Sequence, residues 1–292
     1  MAFSRHEDKR LITGAGKFSA DWNLPGQLHA CMVRSPHAHA KVLSVDTSAA
    51  LASDGVIAVL TAADVTAARM STLPSGPDLK GIGDAGIRKG PMPILAIDRV
   101  RFVGQPIAMV VAKSASLARD ASEQVQITYE ELPVVASVAS ALADDAPQLH
   151  PNIPGNVSLQ FESGDAAATE AAFASAAKTT SLTINSQRLY GAPLEPRALV
   201  VNHDRARGVT VVRTPTQGML GMRASLAALT GLAVDDLEIV AQDVGGSFGL
   251  RGGRGPNMHC WFWLQDVLPN RLNGYPADLS CSRRSYMAGH WY

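Results

Sequence analysis

Nowhere does the sequence contain the ~18 consecutive apolar residues that a helix needs to cross a bilayer. Its opening, Met1 to Arg10, is polar and charged, which is unlike a secretory leader. Cysteine is scarce: Cys31, Cys260 and Cys281 are an odd set without a C-x-x-C pair, which gives no disulfide framework, zinc site or iron–sulfur site. Any electron-transfer cluster is therefore expected on another chain. An excess charge of either sign is also lacking, since 26 Lys and Arg balance 26 Asp and Glu. No basic stripe argues for nucleic acid, and no polybasic run argues for a membrane surface. These absences predict a cytoplasmic chain with no membrane span and no nucleic-acid partner. What is present is ordinary for a globular protein: 292 residues, 46% hydrophobic and 18% charged, enough for two domains with cores.

Strand-like and helix-like stretches alternate along the chain. Leu28 to Val33 and Ala40 to Val45 read as strands separated by the Ser35-Pro36 breaker. A short helix follows from Ser48, with Asp46, Thr47 or Ser48 as possible caps, and Val56 to Leu60 is strand again. Leu73 to Pro93 is too rich in glycine and proline for regular structure, and loops of this length are usually functional or mobile. Val100 to Val103 and Ile107 to Ala112 read as strands, the second nearly all apolar, and Ser114 caps a helix running to Gln124. Val125 to Tyr129 is a strand. A polar, alanine-rich connector over 136–156 places a domain boundary there. Beyond it lie a helix around 165–177, strands at 179–184, 198–202, 209–213 and 237–241, and a helix at 219–229. The mixed order predicts an α+β or α/β fold.

Composition changes abruptly at Arg254. Residues 254–292 hold Trp261, Trp263 and Trp291 and two of the three cysteines, but no lysine or glutamate, and they show neither helical nor strand spacing over a useful length. Such a tail is what a frameshift near Gly252 to Arg254 would produce, with Trp261-Phe262-Trp263 as an aggregation liability.

Chemistry points to three segments. The loop Val244-Gly245-Gly246-Ser247-Phe248-Gly249 follows a strand, where glycines admit close backbone approach to a ligand and successive amides can hold an oxyanion. It lacks the Gly-Lys-Ser/Thr of a P-loop and the glycine spacing of a dinucleotide fingerprint. Taken alone it is as readily a tight structural turn. Gln217, in Thr214-Pro215-Thr216-Gln217-Gly218 between a strand and a helix, can both donate and accept, although a lone glutamine there is more often a solvated turn residue. Leu194-Glu195-Pro196-Arg197 sets a carboxylate two residues from a guanidinium, which reads as a structural salt bridge. His37 and His39 share a strand face but have no third ligand nearby, so no metal ligand is assigned.

Several of these segments resemble a known family in order and spacing. Glu7 to Gly14, Leu24 to His29, Arg34-Ser35-Pro36-His37-Ala38-His39-Ala40, Phe102 to Ala108 and Tyr129 to Val135 resemble the opening of the large subunit of xanthine dehydrogenase/aldehyde oxidase/carbon monoxide dehydrogenase-type molybdenum hydroxylases. So do Leu194 to Arg197, Thr216-Gln217 and Gly245 to Gly249. The resemblance runs from about Glu7 to Gly252. It implies an α+β chain with an α/β hammerhead domain at 8–145, the start of a mixed α/β molybdopterin-binding domain at 156–253, and an atypical tail at 254–292.

The resemblance also implies a molybdenum–pterin cofactor, in bacteria the molybdopterin cytosine dinucleotide. It implies oxidation of a small-molecule substrate (an aldehyde, an N-heterocycle or carbon monoxide) and electron transfer to an iron–sulfur small subunit and an FAD-binding medium subunit. Gln217 would hydrogen-bond an oxygen ligand of the metal. Gly245, Gly246, Ser247, Phe248 and Gly249 would form the loop against the cofactor, and Phe248 would line the substrate pocket. The commonest family loop has glycine at the position of Ser247; were positive φ required there, serine would cost ~1 kcal/mol or more. The family's catalytic glutamate and most pterin-dinucleotide contacts lie far downstream, so no residue of this chain is assigned as catalytic. The expectation is a truncated large subunit without hydroxylase activity of its own, because losing a general base costs roughly two to four orders of magnitude. Two other readings are a non-catalytic module that binds the partner subunits and a phosphate-binding glycine-loop enzyme.

Overall fold

Pairing around Pro106–Ala112, a strand buried at every position, organises the architecture. In this computed structural model the described residues are 5–68, 72, 78–184, 186, 189 and 191–251, together with the backbone of 279–282. In chain order the first elements are α1 (Asp8–Ile12), β1 (Leu28–Arg34), β2 (Ala40–Asp46), α2 (Ser48–Ala52), β3 (Val56–Leu60) and α3 (Ala62–Ala67). Next come β4 (Arg99–Val100), β5 (Pro106–Ala112), α4 (Ala115–Ser122), β6 (Gln126–Glu131), α5 (Val138–Ala141) and α6 (Ala166–Ser175). The last are β7 (Ala198–Asp204), β8 (Val209–Arg213), α7 (Met219–Thr230), β9 (Leu237–Val240) and β10 (Leu279–Ser282).

Residue contacts divide the chain into two units. One comprises Met1–Pro74, Pro91–Val134 and Gly191–Tyr292; the other comprises Ser75–Gly90 and Val135–Tyr190. The first unit holds a 7-stranded sheet in the order β3-β5-β1-β10-β7-β8-β9 and a 3-stranded sheet in the order β4-β2-β6. The large sheet is mixed: β1 runs parallel to β10 and β8 parallel to β9, and the other neighbours are antiparallel.

β5 is apolar at every position because both its faces are covered. Side chains alternate across a strand, so Met109 and Val111 enter one core while Ala108 and Val110 enter another. The first core also takes Leu28 and Ala30 of β1, Leu199 and Val201 of β7, and Leu237 of β9. Strands from both sides of the connector therefore bury their apolar faces together. Helix α7 closes this core with Met222, Leu226 and Leu229, a stripe spaced by four and three residues on one face. It ends at Gly231, whose left-handed backbone (φ 80°) lets its N–H donate to the Ala227 carbonyl at 2.9 Å. Helix α4 is capped as expected, with Ser114 Oγ accepting from the Leu117 N–H, and it buries Ala118 and Ala121. Of the three candidate caps for α2, Thr47 holds the N-cap position, and Asp46 Oδ1 accepts from the Ser48 N–H at 2.9 Å.

Within the second unit, Asn156 organises the connector. Its Oδ1 accepts from the Leu149 N–H, and its Nδ2 donates to the carbonyls of Ala141 and Pro147. Its left-handed φ of 58° is one that asparagine tolerates.

Three stretches differ from the sequence reading. Residues 179–184 are exposed and form no strand: the alternation there has no partner edge among the described residues, and a strand exists only through its neighbour. Of Val100 to Val103 only Val100 lies in a strand, the two-residue β4, and the chain then turns, with the Gln105 N–H donating to the Phe102 carbonyl. In the aberrant-looking tail, Leu279–Ser282 is a strand between β1 and β7, too short for its periodicity to show in the sequence. The rest of that tail, including Trp261-Phe262-Trp263, lies outside the described residues, as does the point at which a frameshift would begin.

Candidate functional site

Gln217 and the glycine loop, 28 or more residues apart in the chain, are brought together by Arg251. The Arg251 N–H donates to Gln217 Oε1 at 3.1 Å, and the Gln217 N–H donates to the Arg251 carbonyl at 3.2 Å. Oε1 is thereby directed at Arg251, and the Gln217 NH2, which has no acceptor among the described residues, is left to donate to a ligand. Gln217 is exposed and sits immediately before Gly218, the N-cap of α7.

A buried ion pair fixes the root of the loop. The Arg251 guanidinium donates through Nη1 to Glu195 Oε2 at 2.6 Å and through Nη2 to the Glu195 backbone carbonyl. Both side chains are almost wholly withdrawn from water. Glu195 is satisfied further by the Gly245 N–H, 2.8 Å from Oε2, and the Ser19 N–H, 3.3 Å from Oε1. Backbone approach is so close that a Cβ on Gly245 would lie 2.5 Å from Glu195 Cβ and 3.1 Å from its nitrogen, so only glycine fits. The sequence reading paired Glu195 with Arg197. Instead Glu195 pairs with Arg251, and the Arg197 guanidinium donates to the Leu250 carbonyl. The intervening Pro196 favours extended backbone at Glu195.

A second carboxylate, Asp243, is buried where the chain enters the loop. It accepts from the Lys17 N–H at 2.6 Å and from the Arg10 guanidinium. The Arg10 hydrogen bond is the largest cause holding its carboxyl below the ordinary aspartate pKa, with the Lys17 N–H adding to it. The N-terminal segment 10–19 is thus tied through Asp243 and Glu195 to both sides of the loop's base. Nearby, Lys17 Nζ and the Arg213 guanidinium carbon stand 3.6 Å and 4.4 Å from the centroid of the Trp22 ring, a cation–π arrangement that the sequence gives no means of foreseeing.

In the loop itself, Gly246 (φ 95°), Phe248 (φ 48°) and Gly249 (φ 80°) are left-handed. Ser247 is not, so the strain expected at Ser247 falls on Phe248. Phe248 is 73% exposed. Among the described residues, no acceptor takes the N–H groups of Gly246, Ser247, Phe248 or Gly249, although the flanking N–H groups of Gly245, Leu250 and Arg251 are all satisfied. The pentapeptide also spells G-x-S-x-G, the pattern of a hydrolase nucleophile elbow. That context is absent, since no helix follows it within the described residues and no described histidine bonds Ser247. His37 lies beside Glu131 at 3.4 Å, and His39 is buried with Nδ1 2.7 Å from the Pro133 carbonyl oxygen.

Comparison with known proteins places this arrangement in a family. Residues 13–133 match the aldehyde oxidase and xanthine dehydrogenase a/b hammerhead domain, and residues 149–265 match the molybdopterin cofactor-binding domain. The carbon monoxide dehydrogenase large chain of Hydrogenophaga pseudoflava is 34% identical over 266 residues, 87% of this chain and 32% of that protein. The nicotine 6-hydroxylase large subunit of Paenarthrobacter nicotinovorans is 34% identical over 247 residues, 84% of this chain and 29% of the relative. Among solved structures, quinoline 2-oxidoreductase from Pseudomonas putida 86 superposes with a TM-score of 0.83 at 30% identity, covering 96% of this chain and 34% of that one. The Cu,Mo-CO dehydrogenase does so with a TM-score of 0.81 at 31% identity, covering 96% and 35%.

The chain belongs to the molybdopterin-binding large subunits of the xanthine dehydrogenase/aldehyde oxidase/carbon monoxide dehydrogenase family. Its α+β fold is that of a hammerhead domain followed by the start of a molybdopterin-binding domain, and it spans about a third of the length of these relatives. Among the described residues no helix is long and apolar enough to cross a membrane.

Proposed function

We propose that this chain forms one wall of a molybdenum–pterin site in an oxidoreductase that hydroxylates an aldehyde or N-heterocycle or oxidises carbon monoxide. The observation that carries the reading is the set of donors without internal acceptors, the amides of 246–249, held beside the free NH2 of Gln217. A run of N–H groups without internal acceptors suits oxygen atoms carrying negative charge, and preorganised donors stabilise developing oxyanion charge better than water does. The residues therefore fit the oxygen-bearing face of such a cofactor, which when bound supplies two-electron redox chemistry. Gln217 would donate to one of its oxygens. Gly245 would set the loop's height against Glu195, and Gly246, Ser247, Phe248 and Gly249 would offer their amides. The exposed Phe248 ring would border the substrate. The reading includes the cytosine dinucleotide form of the cofactor, iron–sulfur and FAD-binding partner subunits, a cytoplasmic location, and domains at 8–145 and 156–253 followed by a frameshifted tail.

Expression in a bacterium that makes the cofactor tests this. Co-expressed with the remaining two thirds of a related large subunit, the purified chain should carry molybdenum and oxidised-pterin fluorescence together, and Gln217→Ala should lower both by about tenfold, the equivalent of one hydrogen bond. Wild-type chain free of both would sink the cofactor reading. A non-catalytic module that binds the partner subunits is the second reading. It is favoured by the match over 13–133, which is independent of the loop. Capture of iron–sulfur and FAD-binding proteins by metal-free chain would support it.

A further inference from the structure

The donors of the proposed site belong to two segments with no covalent reason to keep a fixed separation. Gln217 follows β8, whereas the amide loop follows β9. One residue links them, directly to Gln217 and through Glu195 to the loop. Arg251 bonds Gln217 twice through its backbone, N–H to Oε1 at 3.1 Å and carbonyl to the Gln217 N–H at 3.2 Å. Its guanidinium reaches back to Glu195, where one nitrogen meets the carboxylate at 2.6 Å and the other meets the backbone carbonyl. That same carboxylate oxygen accepts the Gly245 N–H at 2.8 Å, at the loop's first turn.

We propose that Arg251 is a positioning residue, setting the distance and angle between the Gln217 amide and the 245–249 loop through a guanidinium fork on Glu195 at one end and a backbone pair on Gln217 at the other. This rests on the cofactor reading above for its purpose, but not for its geometry. A planar fork can serve a carboxylate and a carbonyl at once, whereas an ammonium is a single point of charge on a flexible stem. The guanidinium thus supplies something beyond neutralising Glu195. Burial strengthens the argument, because with water excluded no solvent molecule substitutes for a missing arm.

Arg251→Lys separates the two roles, since it keeps a positive charge for Glu195 and removes the fork. The measurement is hydrogen–deuterium exchange on the purified 292-residue chain without added cofactor, read at the Gly245 and Arg251 amides with β5 amides as internal reference. Expected is an increase of about tenfold in exchange at both loop amides with β5 unchanged, as loss of one charge-assisted hydrogen bond would give. The Gln217 side-chain NH2 resonances, identified by their loss in Gln217→Ala, should shift in the same variant. Unchanged exchange at both amides, or a rise shared equally by β5, overturns the proposal.

Should the lysine variant fail to fold, Gln217→Ala carries the test, because Gln217 is exposed. Coupling through Arg251 requires that the Gly245 amide, on the far side of the fork, also exchanges faster, and an unchanged Gly245 amide refutes it. Exchange is read on metal-free protein. A wild-type chain that carries no molybdenum would therefore defeat the proposed function while leaving this result standing, and unchanged exchange would defeat the positioning role while leaving the cofactor reading intact.

Discussion

Phe248 holds a left-handed backbone that most side chains avoid, and replacing it should reveal what that conformation costs. The left-handed region costs a non-glycine residue about 1–2 kcal/mol. The ring is 73% exposed. Full burial of a phenylalanine contributes roughly 1.5–3 kcal/mol, so only about a quarter of that, ~0.4–0.8 kcal/mol, is lost when the ring is removed. Phe248→Ala removes the ring and keeps the strained backbone, so it should destabilise by about 0.5 kcal/mol. Phe248→Gly also removes the ring but relieves the backbone, against ~0.5–1 kcal/mol of extra entropy lost by glycine on folding. Glycine should therefore be the more stable of the two by about 0.5–1 kcal/mol, or roughly 1–4 °C in melting midpoint for a domain of this size. Circular dichroism melts of the two variants side by side provide the assay, since their difference cancels the ring. A glycine variant melting at or below the alanine variant would refute the reasoning, because the backbone would then be unstrained. A strained residue in a loop proposed to face a cofactor is stability set aside for geometry.

Three further outcomes follow from the same structure. Gly245→Ala places a methyl 2.5 Å from Glu195 Cβ and 3.1 Å from its backbone nitrogen, and should destabilise by about 1–3 kcal/mol in urea titration, because neither atom is the free end of a flexible side chain; a neutral result would mean the loop can lift off Glu195. Asp243, whose carboxyl is held below its ordinary pKa by Arg10 and the Lys17 N–H, contributes stability present above the unfolded-state value near 4 and lost as pH falls through the folded value. The melting difference between wild type and Asp243→Asn should accordingly shrink from pH 6 to pH 3 or below, and a difference constant with pH would remove the carboxylate from the account. Leu226, fully buried on α7, should cost about 2–5 kcal/mol on truncation to alanine, read as a lower urea midpoint at constant slope.

Much of the architecture was legible because it rests on local signals. The unbroken apolar run of β5 and the Ser114 cap of α4 are each written in adjacent residues. Where the reading failed, the decisive partner was distant. Residues 179–184 alternate like a strand but have no described neighbour, and Leu279–Ser282 lacks a period yet is placed by the edges of β1 and β7. At the site, Gln217 and the glycine loop could be named individually, since an amide at a strand end and a run of glycines are local features. The buried Glu195–Arg251 pair could not, because charge complementarity across 56 positions has no sequence signature, and Arg197 lay deceptively near. The positive φ fell on Phe248 rather than Ser247 because backbone conformation follows the turn's geometry, not the size of the residue that looks out of place.

The placing of β10 also matters during biogenesis. β1 and β7 never meet; each pairs with opposite sides of a strand far later in the chain. As the polypeptide leaves the ribosome, the two half-sheets can already share an apolar core while their facing edges stay open, each with a row of unsatisfied amides and carbonyls. Any extended peptide, including the same segment from a neighbouring nascent copy, can occupy that slot. Yield from cells should therefore fall with expression rate, and cooler, slower synthesis should favour chains paired with their own β10 over swapped assemblies.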